Sequence, residues 1–271
     1  MRAVRVALSG SGFRLPAHLG ALQAIVDAGL EIRELAGTSG GSIVAALYAA
    51  GMPLADMHKL CMTMDWSRMM RFSVWSVLRH QALCSGDALL DFLLEATGGR
   101  TFAQLQLELK IVAADLLTER EFQLSRATTP SVPIAVAARA SASIPFVFPP
   151  VPAAGALLVD GGTADSVPVS DLTVDDIPRL GVFLRSDDVQ LAPGRYGLRT
   201  LAPRVIDLML ASNETARMAA DVLAGATIVD VPTGYASSFD RNMSAATRKR
   251  LYDDGYEAVA AGVAKLVCTP L

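Results

Sequence analysis

Apolar positions alternate along this chain between short strand-like runs and longer stretches with helical spacing. Val4–Leu8 is a short apolar run that turns into Ser9-Gly10-Ser11-Gly12. A helical pattern follows from Pro16 to Ala28, with Pro16 suited to a first turn and Gly29 to a C-cap. Ile32–Ala36 predicts a second strand, Gly37-Thr38-Ser39-Gly40-Gly41 a tight turn, and Ser42–Ala50 an apolar helix closed by Gly51. Leu109–Leu116 and Glu121–Leu124 predict a strand pair joined through Thr118-Glu119-Arg120. Leu157–Val159 predicts a buried strand running into Asp160-Gly161-Gly162, and Leu180–Leu184 another. Helices are expected near 204–223 and 245–266, with a strand at Thr227–Val231 between them. This rhythm predicts an α/β fold, a mainly parallel central sheet sandwiched by helices. No shift in composition marks a linker, so residues 1–271 are expected to form a single domain.

Composition narrows the class. The chain is 52% hydrophobic and 19% charged, which excludes intrinsic disorder. A mean hydropathy of +0.37 raises the question of a membrane protein. A spanning helix needs roughly 18 or more predominantly apolar residues, and no stretch reads as one: the longest free of charge and proline, Leu35–Met52, is interrupted by four glycines, Thr38, Ser39 and Ser42. The net charge of -3 offers no general attraction to nucleic acid. Cys61, Cys84 and Cys268 are an odd count without CxxC spacing, supporting neither a disulfide framework nor a zinc site. The apolar run at the start is too short for a signal peptide, so a cytoplasmic protein is the default expectation, peripheral membrane contact aside.

The glycine-rich segments admit several chemistries. Gly10-x-Gly12 after a strand could cradle a dinucleotide, but Leu15 stands where the third glycine is needed. A P-loop is excluded because no Gly-Lys-Ser/Thr follows. Gly37-x-Ser39-x-Gly41 between a short strand and an apolar helix has the context of a nucleophile elbow, in which small neighbours permit a strained turn that lifts the hydroxyl out. An ordinary turn with Ser39 as N-cap fits the pattern equally well. A Ser-Asp-His triad in that chain order is impossible with Asp160, since His18, His58 and His80 all precede it. A carboxylate can take the base role directly, and Asp160 at a strand end, followed by two glycines, has the uncrowded setting for it. An Asp capping a turn is the plainer alternative.

Together, Gly10-Ser11-Gly12-Phe13-Arg14, Gly37-Thr38-Ser39-Gly40-Gly41 and Asp160-Gly161-Gly162 resemble, in order, the three motifs of patatin-like phospholipases. Those are a Gly-Gly-Gly-x-Arg/Lys-Gly loop, a Gly-x-Ser-x-Gly elbow and an Asp-Gly-Gly/Ala turn. Ala17-His18-Leu19-Gly20, Ala140-Ser141 with Ile144-Pro145, Phe148-Pro149-Pro150 and Val167-Pro168-Val169 resemble the family's surrounding segments, the second and third as the loop before the Asp. The resemblance spans roughly residues 4–170. It implies a patatin-like fold and a lipid ester substrate, with no metal, cofactor or nucleic acid. It further implies Ser39 as nucleophile, Asp160 as proton acceptor, and backbone amides of Gly10, Ser11 and Gly12 as an oxyanion hole. Arg14, Gly37, Gly41 and Gly161 would support the site, Arg14 either by holding the loop or by favouring an anionic headgroup. The chain departs from the family at Ser11 and Leu15, which replace glycines, and at Ala164-Asp165-Ser166, where the family often has Asn. A catalytically weak or inactive lipid-binding module of the same fold is the alternative.

Residues 52–80 hold six of the 10 Met and both Trp, and from 66 to 80 the charges are Arg68, Arg71 and Arg79. Adaptable Met side chains suit varied acyl chains, and Trp with Arg suits a membrane surface. The segment reads either as a lid or transient membrane contact, or as an internal helix whose imperfect stripe is Trp66, Met70, Val74 and Val77.

Overall fold

The computed structural model describes residues 2–70, 72–80, 82–186 and 214–268, together with 194, 197, 201, 204, 205, 208 and 209, with backbone alone for 80 and 265–268. In chain order the elements are β1 (Ala3–Leu8), α1 (Leu15–Asp27), β2 (Glu31–Thr38), α2 (Gly40–Ala49), α3 (Leu54–Thr63), α4 (Val74–His80), α5 (Asp87–Thr97), β3 (Glu108–Asp115) and β4 (Arg120–Ser125). They continue with α6 (Ile134–Ser141), β5 (Val151–Ala153), β6 (Ala156–Asp160), β7 (Arg179–Arg185), α7 (Glu214–Leu223), β8 (Thr227–Pro232) and α8 (Ala245–Cys268). The strand order is β5-β6-β3-β2-β1-β7-β8, with β4 pairing β3. β1, β2, β3, β7 and β8 run parallel, while β4, β5 and β6 are antiparallel to their partners.

Successive strand residues point to opposite faces, and the two faces are unequally covered. Val4, Val6 and Leu8 of β1, with Leu180, Val182 and Leu184 of β7, enter a large core shared with α1, α2, α5, α6 and α8. Ala7 and Phe183 face the other way, into a smaller core with Val167, Val169, Leu172 and the α7 residue Met218. The last hundred residues, which carry no motif, supply β7, β8 and α8. α8 crosses α1 where Gly20 and Gly255 let the backbones meet: a Cβ on Gly20 would strike the Tyr252 carbonyl oxygen, and one on Gly255 that of Ala17. Part of the helix expected near 204–223 lies outside the described residues.

The crowding around β3 positions the site. β4 pairs β3 along Lys110–Asp115, so β2 and β6 must share the opposite edge. β2 ends there with Thr38 opposite Val112, and β6 ends with Asp160 opposite Ala113. Two strand ends distant in sequence are thereby set end to end, and Ser39 follows directly from one of them. Leu8 pairs Gly37, which places the loop after β1 alongside. Ligands of open α/β sheets bind at such carboxyl ends.

The structure corrects two expectations. Ala140 and Ser141, expected in a loop before the Asp, form the end of α6. Residues 52–80 are not one helix: α3, a 3₁₀ turn at Trp66–Arg68 and α4 divide them, because Met64 is extended and Asp65 caps a new turn through the Ser67 amide. Trp66, Met70, Val74 and Val77 therefore share no helix face.

Candidate active site

Ser39 occupies the junction of β2 and α2 with φ 51° and ψ −123°, a conformation costly for any residue with a side chain. Packing holds it there. A Cβ on Gly37 would collide with the Ser42 backbone, one on Gly40 with Ser11 and Gly12, and one on Gly41 with the carbonyl oxygens of Leu8 and Ser9. The turn is thus wedged against the end of β1, where only glycine fits. The Ser39 carbonyl accepts from the Ser42 amide at 3.0 Å and the Ser42 hydroxyl at 2.6 Å, opening α2.

The strained turn aims the Ser39 hydroxyl at Asp160, donating to Oδ2 at 2.7 Å. Asp160 is fully buried, and its other oxygen, Oδ1, accepts the Gly162 amide at 2.9 Å. Burial pushes this carboxyl up to about 6, against the opposing pull of the bonds from Ser39 and Gly162. Gly161 is required by close approach, since a Cβ would strike the Val112 carbonyl oxygen. A hydroxyl held against a desolvated carboxylate of raised proton affinity can surrender its proton as the oxygen attacks an electrophile. Ser141 completes the frame: its hydroxyl accepts the Ser39 amide at 2.8 Å and donates to the Val112 carbonyl at 2.5 Å. Sequence reasoning gave Ser141 no role, although its place in the segment before the Asp was the available signal.

The loop after β1 approaches from the other side. Of the three amides expected as oxyanion donors, that of Gly10 is already committed to the Ser166 carbonyl at 2.9 Å. The amides of Ser11 and Gly12 make no hydrogen bond among the described residues. Gly12 has φ +54°, and a Cβ there would strike the Ser238 backbone. Arg14 is buried and ties the loop to the ends of β7 and β8. Its Nε donates to the Ser11 carbonyl at 3.1 Å, and one terminal nitrogen to the hydroxyls of Ser186 at 2.7 Å and Thr233 at 2.8 Å. The loop-holding reading of Arg14 fits these contacts. Asp165, in the segment that departs from the family, donates nothing to Asp160. Its backbone carbonyl accepts the Thr38 hydroxyl at 2.8 Å, and its carboxylate pairs with Arg217 at 2.7 Å.

Two openings meet at Ser39. One is a cavity of about 420 Å³ with mixed walls that include Arg14, Ser166, Arg185, Glu214 and Asp230. The other is a narrow apolar slot of about 50 Å³ walled by Phe13, Ile43, Trp66, Met69, Met70 and Phe148 among others. Trp66 is buried against Phe13 and Phe92, whereas Trp75 is exposed. Among the described residues no histidine lines either opening. His18 lies buried with Nε2 donating to the Ser9 carbonyl at 2.7 Å, and burial drives it down to about 3, so it stays neutral. His58 packs edge-on against Tyr252, and the His80 side chain lies outside the described residues. No helix among the described residues is long and apolar enough to cross a membrane.

A sequence model of patatin-like phospholipases matches residues 6–173. The chain is 26% identical to an uncharacterized protein of Acanthamoeba polyphaga mimivirus, over 97% of this chain and 94% of that one. It is 30% identical to an uncharacterized NTE family protein of Mycobacterium tuberculosis, over 62% of this chain but only 45% of the relative's length. Among solved structures it resembles VipD from Legionella pneumophila with a TM-score of 0.64 and 16% identity, covering 97% of this chain and 67% of that one. It also resembles the type III effector protein ExoU, of Pseudomonas aeruginosa, with a TM-score of 0.58 and 14% identity, covering 99% of this chain and 54% of that one. The chain belongs to the patatin-like phospholipase family.

Proposed function

We propose that this member of the patatin-like phospholipase family hydrolyses fatty-acyl esters of phospholipids or related lipids through Ser39 and Asp160. The observation that carries the reading is the 2.7 Å bond from a strained serine hydroxyl to a fully buried carboxylate. Ser39 Oγ attacks the ester carbonyl as its proton passes to Asp160 Oδ2, and the developing oxyanion turns to the amides of Ser11 and Gly12. Collapse expels the alcohol, which takes the proton from Asp160, and leaves an acyl-Ser39 ester. Water then attacks with Asp160 again as base, releasing fatty acid. The acyl chain follows the apolar slot, where Met69 and Met70 adapt to its shape. The alcohol portion, with its headgroup, occupies the mixed cavity beside Arg14.

Labelling with a fluorophosphonate and turnover of a short-chain p-nitrophenyl ester test this reading in wild type, Ser39→Ala and Asp160→Asn. We expect labelling to vanish in Ser39→Ala, and turnover to fall roughly a thousandfold or more in both variants. Turnover that survives loss of Ser39 overturns the mechanism. A wild type that neither labels nor turns over supports the binding-module alternative.

A further inference from the structure

The surface above the apolar slot is itself apolar. Phe72, Val74, Trp75, Leu78, Leu83 and Phe146 are all exposed, Trp75 to 68%, Leu78 to 74% and Phe146 to 69%. They are not scattered. The Ser73 amide donates to the Leu83 carbonyl at 3.0 Å, the Leu83 amide to Phe146 at 2.9 Å and the Cys84 amide to Val147 at 2.9 Å. Phe72 and Cys84 form an antiparallel bridge. Three segments are thus laced side by side into one raft, from which α4 projects. Phe146 is held at φ 66°, a strained setting for an aromatic residue, with its ring outward. Solvated proteins rarely keep so many large apolar groups together without a partner for them.

Two further features identify that partner. Directly beneath the raft, Cys84, Val147 and Phe148 pack with Met70, Ile144 and Phe239. Four of these, Met70, Ile144, Phe148 and Phe239, also wall the slot at Ser39, so apolar surface runs unbroken from the outside to the nucleophile. The stretch that carries α4 has charges of one sign, whereas Asp115, Glu119 and Glu121 share a cavity with Phe146 on the raft's other side and Arg68 pairs with Asp65. Between Trp66 and Gly86 the chain carries Arg68, Arg71 and Arg79 and no Asp or Glu, within a molecule of net charge -3. Arg79 lies exposed on α4 beside Leu78. Exposed Trp75 and Phe72 with the cation of Arg79 beside them suit the boundary between headgroups and acyl chains of an anionic bilayer.

We propose that this raft is a lipid-docking face, which inserts Trp75, Leu78 and Phe146 into an anionic membrane surface and presents the slot mouth to it. Its purpose rests on the lipid-hydrolase reading of Ser39, but the docking itself does not require catalysis. Of the 52–80 segment, the exposed part around α4 makes the contact, while Trp66 and Met57 belong to the interior.

The test uses vesicles of phosphatidylcholine containing phosphatidylglycerol, with sedimentation and tryptophan emission as readouts. The chain has two tryptophans, so a blue shift on vesicle addition that is absent from Trp75→Ala reports Trp75. We expect that shift, and a vesicle affinity about tenfold or more weaker in Leu78→Glu. Turnover of a soluble short-chain ester should be unchanged in Leu78→Glu, since Leu78 touches neither opening. Unaltered vesicle binding by Leu78→Glu, or an unmoved Trp75 emission, overturns the proposal. So does a concentration-dependent dimer that Leu78→Glu abolishes, which would make the raft an interface between copies. Wild type that binds vesicles in this manner yet cleaves no soluble ester sustains the docking face while defeating the hydrolase reading.

Discussion

A serine hydroxyl does not give up its proton readily in water, and in the proposed mechanism Asp160 assists only while it is ionised. With its carboxyl pushed up to about 6 by burial, the competent fraction should fall tenfold for each pH unit below that value and saturate above it. The profile of kcat/KM for a soluble ester should therefore rise with unit slope to a plateau near neutrality. A profile flat down to pH 4 would contradict the assignment. The same shift affects stability with a definite sign. The folded carboxyl holds its proton up to about 6, the unfolded one only to 3.8. Within that window the folded state binds more protons, so stability falls as pH rises, by up to about 3 kcal/mol at neutrality. Asp160→Asn should accordingly melt higher than wild type at pH 7 and about equally near pH 3. A lower melting temperature at pH 7 would refute this account. At this scale the two turns that bring Ser39 and Asp160 together were legible because Ser39 lies between Gly37 and Gly41 and Asp160 is followed by two glycines, which crowded turns require. Which amide of the first loop stays free was not legible, because the carbonyl that takes Gly10 belongs to Ser166, far along the chain.

At the scale of elements, the turn from β2 into α2 depends on absent side chains rather than present ones. Gly41→Ala drives a methyl into the carbonyl oxygens of Leu8 and Ser9, so β1 and α2 cannot both keep their places. We expect a loss of about 2–4 kcal/mol in chemical denaturation, in the range of core overpacking. Gly29→Ala makes the contrast: its φ is +70° but nothing lies within 4 Å, so only the backbone penalty of about 1–2 kcal/mol applies. Equal effects of the two would show that packing does not fix the elbow. Elements bounded by such glycines were readable from periodicity, β1, α1, β2 and α2 among them. β5 was not, since Val151–Ala153 includes Pro152 and becomes a strand only by pairing with β6. Nor was the division of the Met and Trp segment, because the side-chain cap at Asp65 that starts a new turn looks, in sequence, like any other polar residue.

The whole molecule is bound together by a charge that alternation alone would put at the surface. Glu34 in β2 is fully buried, and it joins three adjacent strands to the chain beyond β6. It pairs with Arg5 of β1 at 2.6 Å and Lys110 of β3 at 2.7 Å, and accepts the Thr173 amide at 3.0 Å and hydroxyl at 3.1 Å. Burial alone would raise this carboxyl, yet Lys110, the Thr173 amide and Arg5 together hold it below its ordinary value. Glu34→Gln preserves shape but leaves Lys110, largely buried, without a carboxylate, while Arg5 keeps Asp175; removing one partner of a buried pair costs about 3–5 kcal/mol. A depressed folded pKa means that the stabilisation is present above the ordinary carboxyl range and disappears as pH falls through the folded value. The deficit of Glu34→Gln in chemical denaturation should therefore be full at pH 7 and shrink toward pH 3. Glu34 sits roughly 16 Å along the strand from Ser39, at about 3.3 Å per residue. Ester turnover by the folded variant at low temperature should therefore stay within about twofold of wild type, as expected of well-separated sites. A loss of turnover out of proportion to the loss of folded protein would instead mean that the charge cluster and the elbow move together.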